Sequence, residues 1–166
     1  MDSFTWYDSP VGRLLLLSDG EALLGLWMEG QTHFGCQRLA EAIQDDTLPL
    51  FSQVRRWLDD YFLGGHPTPP PQPLSPVGTA FQQQVWQALL TVPYGETRTY
   101  GNIARQIGKP RAFQAVGSAV GRNPVSIIIP CHRIVGSQGQ LTGYAGGLDR
   151  KQWLLRHEAE TKEGIL

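Results

Sequence analysis

With 166 residues, 41% of them hydrophobic and 17% charged, the chain can bury a core and is not disordered by composition. No apolar run approaches the roughly 18 residues of a membrane span, and Asp2 with the short Leu14–Leu17 run is no signal segment, so neither a membrane protein nor a secreted one is expected. The net charge of -1 hides a split: residues 1–77 hold ten acids against four Lys/Arg, a net of -6, and residues 78–166 hold five acids against ten Lys/Arg, a net of +5. That asymmetry points to a basic C-terminal half that meets a polyanion. Two cysteines, Cys36 and Cys131, do not make a disulfide framework, and a reducing, cytoplasmic compartment follows as the expectation.

Phe4 to Tyr7, Arg13 to Ser18 and Ala22 to Met28 read as strands, separated by the turn signals Ser9-Pro10-Val11-Gly12 and Asp19-Gly20. Residues 36–44 have the apolar spacing of a short helix. Val54, Trp57, Leu58, Tyr61 and Phe62 recur at helical spacing until Gly64-Gly65 stops them. Six of the twelve prolines fall between Pro67 and Pro76, which excludes helix interior and central strand. The expected organisation is a supporting α/β domain over 1–66, a linker over 67–77 and a second domain over 78–166. The class is α+β: a small N-terminal sheet with a helix, then a helical domain with a helix-turn-helix, winged-helix-like, and an active-site loop.

Beyond the linker, Thr79 is placed to cap a helix through Phe81, Val85, Trp86 and Leu89, ended by Pro93-Tyr94-Gly95. Thr99 caps a second, Tyr100 to Ile107, and a third runs from Arg111 to about Val120. Two short helices about the Gly108-Lys109-Pro110 turn form a helix-turn-helix pattern. Arg98, Arg105, Lys109, Arg111 and Arg122 surround it with positive charge. Ala112, Ala115, Gly117, Ser118, Ala119 and Gly121 make the third helix small-surfaced, which permits close approach to another helix or to a narrow groove. Gly136-Ser137-Gln138-Gly139 reads as a hairpin turn. Gly143-Tyr144-Ala145-Gly146-Gly147 is a flexible loop without the Lys-Ser/Thr end of a phosphate loop. A last helix, Arg150 to about Ala159, turns Trp153, Leu154 and Leu155 inward and carries His157-Glu158 near its end.

Chemistry concentrates at Pro130-Cys131-His132-Arg133. The preceding Ile127-Ile128-Ile129 reads as a buried strand that delivers the thiol. An ordinary cysteine, with a pKa near 8.5, is only about 3% thiolate at pH 7, so a neighbouring base or cation matters. Adjacent side chains of an extended segment face opposite ways, which favours a relay from Cys131 to His132 through one water. A carboxylate then orients the imidazole, and Glu158 is the candidate. The rival reading is a structural buried thiol beside a surface histidine.

Residues 123–133, Asn-Pro-Val-Ser-Ile-Ile-Ile-Pro-Cys-His-Arg, resemble the active-site signature of the O6-alkylguanine-DNA alkyltransferases, and the resemblance extends from about Thr79 to Glu158. It implies direct reversal of DNA damage, in which Cys131 irreversibly takes an alkyl group from O6 of guanine, and also from O4 of thymine, in one turnover. It implies that His132 deprotonates Cys131 through water, Glu158 holds His132, Tyr100 donates a proton to the base, and Asn123 braces the hinge before the cysteine. Tyr144 and Ala145 wall the base pocket, with Arg133 in the same substrate-binding set.

The implied partner is double-stranded DNA, bound through the minor groove with the damaged nucleotide flipped out. Arg111, Ala112, Ala115, Gly117 and Ser118 lie on the binding helix. Gln114 stands where the family carries the arginine that fills the vacated space, a departure that shortens reach and removes charge. No cofactor is implied, and Cys36 with His33 is too small a set for a metal. A monomer is expected in solution, and cooperative assembly on DNA stays open. The competing functions are a non-catalytic helix-turn-helix damage sensor or regulator, and a Cys-His hydrolase.

Overall fold

The computed structural model describes residues 1–67, 70–71 and 73–163. Strands β1 (Ser3–Ser9) and β2 (Gly12–Ser18) form a hairpin in register from Ser3↔Ser18 to Ser9↔Gly12. Its tight loop is held by the Ser9 hydroxyl, which accepts from Val11 N and donates to Gly12 O, and Gly12 leaves the turn at φ +102°. Strand β3 (Leu23–Met28) pairs antiparallel with β2. The two-residue β4 (Ile43–Gln44) pairs parallel with β1, giving the order β3-β2-β1-β4. The Leu14–Leu17 run is buried on both faces: Leu14 and Leu16 enter the main core, while Leu15 and Leu17 pack with Leu24 and Trp27 in a smaller one.

The short helix expected over residues 36–44 is not formed as such. Gln37–Glu41 make a single 3-10 turn with no buried residue, and Ile43–Gln44 join the sheet. Without an apolar face to bury, the segment gains nothing from a longer helix. Helix α1 (Pro49–Phe62) does have such a face. Leu50, Phe51, Val54, Leu58 and Tyr61 are buried, and Pro49 sits in the first turn, where its missing N–H costs nothing.

The outer edge of β3 is covered twice. Leu23 N donates to Pro73 O, and Ser75 N donates back to Leu23 O. Three residues on, Leu26 N donates to Pro124 O, and Ser126 N donates back to Leu26 O. Each clasp uses a proline carbonyl and the N–H two residues later, so neither proline needs the donor it lacks. The first clasp ties down the expected linker, of which Thr68, Pro69 and Gln72 lie outside the described residues. The second ties the N-terminal sheet to the loop that carries Cys131.

Helices α2 (Ala80–Leu89) and α3 (Tyr100–Gln106) both open with full capping boxes, Thr79 with Gln82 and Thr99 with Asn102. Helix α4 (Phe113–Gly121) begins two residues later than expected, because Lys109 N and Ala112 N are used in closing the turn after Gly108. The three helices pack through Val85, Trp86, Leu89, Ile103, Val116 and Val120, and Trp86 Nε1 donates to Ala119 O at 2.9 Å. The short β5 (Arg98–Thr99) and β6 (Ile134–Val135) pair in parallel. The turn at Gly136–Gly139 closes on Gln140, but no second strand follows it; β6 takes β5 as its partner, so there is no hairpin. Helix α5 (Leu148–Thr161) completes the fold, with Leu154 buried and Trp153 and Leu155 half-buried.

Candidate active site

The site is built on a turn. Ile127, Ile128 and Ile129 are buried, but they do not form the strand expected of them. Only Val125 bridges to β3; Ile128 N then turns back to Ser126 O, Ile129 N to Val125 O, and Ile127 takes φ +70°. A β-branched residue at positive φ is strained, of order 1–3 kcal/mol, and needs an outside constraint. Asn123 supplies it: its Oδ1 accepts from Val125 N at 2.9 Å and its Nδ2 donates to Ile129 O at 2.7 Å, closing both ends of the turn. Asn123→Ala leaves a buried N–H and a buried C=O without these partners. A loss of at least about 2 kcal/mol is expected, measured by urea unfolding.

Cys131 opens the 3-10 turn Cys131–Arg133 and is 5% exposed. Burial pushes its thiol pKa up, against the pull of Asn123, the positive charge of Lys151 and the Tyr144 hydroxyl. His132 is fully buried, and its Nε2 lies 2.6 Å from Glu158 Oε2. Burial pulls the imidazole pKa down, with Glu158 opposing. The resting pair is therefore a neutral thiol and a neutral imidazole.

Glu158, on the inner face of α5, is the hub. Oε2 takes His132, Tyr61 Oη at 2.6 Å and Arg133 Nη2 at 3.1 Å; Oε1 takes Arg133 Nε at 2.8 Å and Gly95 N at 3.1 Å. Burial alone would raise the carboxyl pKa, but His132 and the Arg133 guanidinium outweigh it and hold it far below the usual range. An ionised carboxylate only accepts, so Nε2 of His132 carries the proton. Nδ1, buried and without a hydrogen bond to any of the described residues, is then the nitrogen free to take a proton.

Lys151 Nζ, one of the most deeply buried side chains, donates to Ile134 O at 2.6 Å and Thr142 O at 3.1 Å. The Tyr144 hydroxyl is buried without a hydrogen-bond partner among the described residues, and its pKa is pushed well up by burial and next by the Cys131 sulfur. Ala145 is pinned by its carbonyl, which accepts from Thr32 N at 2.9 Å. Tyr100 Oη lies 2.9 Å from Thr142 Oγ1, so α3 meets the loop that carries Tyr144. A hydroxyl, an amide and a cation thus act on one buried sulfur, and the next residue carries an imidazole oriented by Glu158.

This site sits in a chain with clear relatives. The family model for the DNA-binding domain of 6-O-methylguanine DNA methyltransferase matches residues 80–160, and that for the same protein's ribonuclease-like domain matches residues 3–74. The chain belongs to the 6-O-methylguanine DNA methyltransferase family. A methylated-DNA–protein-cysteine methyltransferase of Haemophilus influenzae is 48% identical over 155 residues, 93% of this chain and 85% of the relative. One from Mycobacterium leprae is 49% identical over 154 residues, 91% of this chain and 88% of the relative. The crystal structure of the Mycobacterium tuberculosis protein in complex with DNA superposes with a TM-score of 0.86 at 46% identity, covering 96% of this chain and 94% of that one.

Within this methyltransferase family fold, the expected site residues fall into two groups. Cys131, His132, Glu158, Asn123 and Tyr144 converge on the buried loop, with Tyr100 and Ala145 beside it. Gln114, Ala115 and Ser118 are exposed on α4, Ala112 and Gly117 are half-buried there, and Arg111 is exposed in the turn before it. Arg133 departs from expectation. It is only 8% exposed, and its guanidinium donates to Glu158 and to Val92 O at 2.8 Å, so it braces the carboxylate.

Lys151 and Tyr61 escaped the sequence. Lys151, Leu154 and Glu158 share the inward stripe of α5, at i, i+3 and i+7, so a lysine in register with Leu154 was the available signal. Tyr61 reads as core and is core; only its hydroxyl, 97 residues from Glu158 in sequence, belongs to the site.

Proposed function

We propose that this chain repairs alkylated duplex DNA by transferring the alkyl group from O6 of guanine, and from O4 of thymine, to Cys131, which is consumed. The observation that carries it is the 2.6 Å bond from His132 Nε2 to Glu158, which leaves a basic Nδ1 on the residue next to the thiol.

The Cys131 proton passes through one water to His132 Nδ1, and Glu158 and Lys151 stabilise the charge separation that results. The thiolate sulfur attacks the alkyl carbon in line, the S–C bond forms, and the C–O6 bond breaks. The electron pair stays with the purine, which takes a proton, with Tyr100 as the donor. That restores neutral guanine, and a proton returned from His132 resets the hydroxyl. Sulfur suits displacement at carbon, and the thioether product has no easy leaving path, so the reaction stops after one turn.

Support for DNA as the partner comes from the DNA-binding family model and the DNA complex of the M. tuberculosis relative. Helix α4 approaches the minor groove with its small residues, and the target nucleotide is flipped out to reach the buried sulfur. The N-terminal part (1–66) supports the loop through the β3 clasp, the Pro-rich stretch 67–77 serves as linker, and residues 78–166 carry DNA binding and transfer.

Incubation with a duplex holding one O6-methylguanine, followed by digestion to nucleosides, tests this. Guanine is restored in the expected outcome. Release of methanol would indicate the hydrolase, and unchanged O6-methylguanine the non-catalytic binder.

A further inference from the structure

We propose that Phe113 is the wedge that enters the base stack when the damaged nucleotide is flipped; this rests on the functional reading above. Phe113 is the first residue of α4, and at 53% exposure it holds half of a phenyl ring in water. Around it the helix surface is low. Ala112, Ala115, Gly117 and Ser118 offer nothing larger than a hydroxymethyl group. Among the described residues it is the one large apolar side chain that α4 leaves exposed. A flat ring on a helix whose other exposed residues, Gln114 apart, are small has the shape of a side chain that intercalates.

Its position on the helix fits the direction of the site. Gly117 lies one turn further along the same face, and a Cβ there would meet the Tyr100 ring at 3.7 Å. Phe113 and Tyr100 line one cleft of about 540 Å³, with Asn102, Arg105 and Ser137. From that cleft the Tyr100 hydroxyl reaches Thr142, on the loop that brings Tyr144 to Cys131. Phe113 therefore shares its cleft with Tyr100, whose hydroxyl meets the loop that carries Tyr144.

The two polar neighbours fit the role less well. Arg111 precedes the helix, in the turn. Gln114 is exposed on the next radial position, with a short uncharged amide. A phenyl ring fills the gap left by an extruded base without carrying charge into the stack, and it accepts any neighbour because every base has a π-face. Gln114 is then free to hydrogen-bond the orphaned pyrimidine. The family's single arginine is replaced in this chain by a division of labour, with Phe113 to hold the gap and Gln114 to satisfy the edge.

The test compares single-turnover methyl transfer from the same oligonucleotide in duplex and in single-stranded form. Phe113→Ala should slow the duplex reaction roughly ten- to hundredfold. It should leave the single-stranded rate within about twofold, since no paired stack has to be held open there. Phe113→Trp should keep the duplex rate near wild type, and 2-aminopurine placed beside the lesion should report loss of stacking in the alanine variant. An unchanged duplex rate in Phe113→Ala, equal slowing on both substrates, or a duplex-specific loss found only in Gln114→Ala would overturn the proposal. Failure of the wild-type chain on both substrates would instead overturn the functional reading beneath it.

Discussion

Cys131→Ser should lower methyl transfer by at least about 10⁴-fold while leaving the fold and DNA binding in place. Serine is smaller by little and can use the same Asn123 and Tyr144 neighbourhood, so the turn at 123–133 retains its own bonds. What is lost is the nucleophile. A serine hydroxyl starts much further from ionisation than a thiol, and the thiolate is the better nucleophile at carbon. Gel-shift affinity for methylated duplex should remain close to wild type, because the exposed strip of α4 is separate from the buried sulfur. Loss of binding together with transfer would mean that Cys131 is structural.

Glu158→Gln should damage both stability and rate. Three side chains, His132, Arg133 and Tyr61, and the backbone N–H of Gly95 converge on one buried carboxylate. The amide cannot neutralise Arg133, and a buried cation left unpaired costs about 3–5 kcal/mol. The amide can also donate to His132 and so stabilise the wrong tautomer, which should lower transfer by roughly 10²–10⁴-fold. Glu158→Asp, which keeps the charge, should recover part of the rate; a merely space-filling role would show no such rescue.

Acid gives an independent check on the same residue. The folded pKa of Glu158 is held below its unfolded value, so the stabilisation is fully present above the unfolded carboxylate pKa of about 4.3. It is lost as pH falls from there toward the folded value. Urea unfolding should therefore show wild type and Glu158→Gln far apart at pH 7 and converging below about pH 4. A constant gap would mean that the carboxylate charge contributes nothing. Transfer itself should not fall off just below neutral pH, since burial lowers the His132 pKa and keeps it free to take a proton there.

The order of elements was legible because each carries its own local signal. Thr79 and Thr99 mark two helix starts, Gly64 and Gly108 two stops, and the Ser-Pro-Val-Gly turn the first hairpin. The isoleucine run misled for a physical reason. Burial on every side looks the same in sequence whether the backbone is extended or turned. The deciding interaction is the side chain of Asn123 reaching six residues ahead to Ile129.

At the site, the contact of His132 with Glu158 was legible, because an imidazole read as a base beside a thiol calls for a carboxylate to orient it. The pairing of Arg133 with Glu158 was not legible, because the carboxylate lies 25 residues away on a helix of its own. Tyr61 and Lys151 wear the pattern of core and amphipathic helix, and only three-dimensional packing brings their polar ends to the site. The β3 clasp is equally hidden, since a strand edge that pairs with a loop leaves no periodicity to find.

The central claim is that Cys131 is a reagent used once. Its most direct test is to incubate the chain with excess duplex carrying a radiolabelled O6-methylguanine, count label per chain at completion, and locate it by peptide mass. One methyl per chain, on the peptide containing Cys131 as S-methylcysteine, is the predicted result. More than one equivalent released per chain, or label fixed on any other residue, would contradict it.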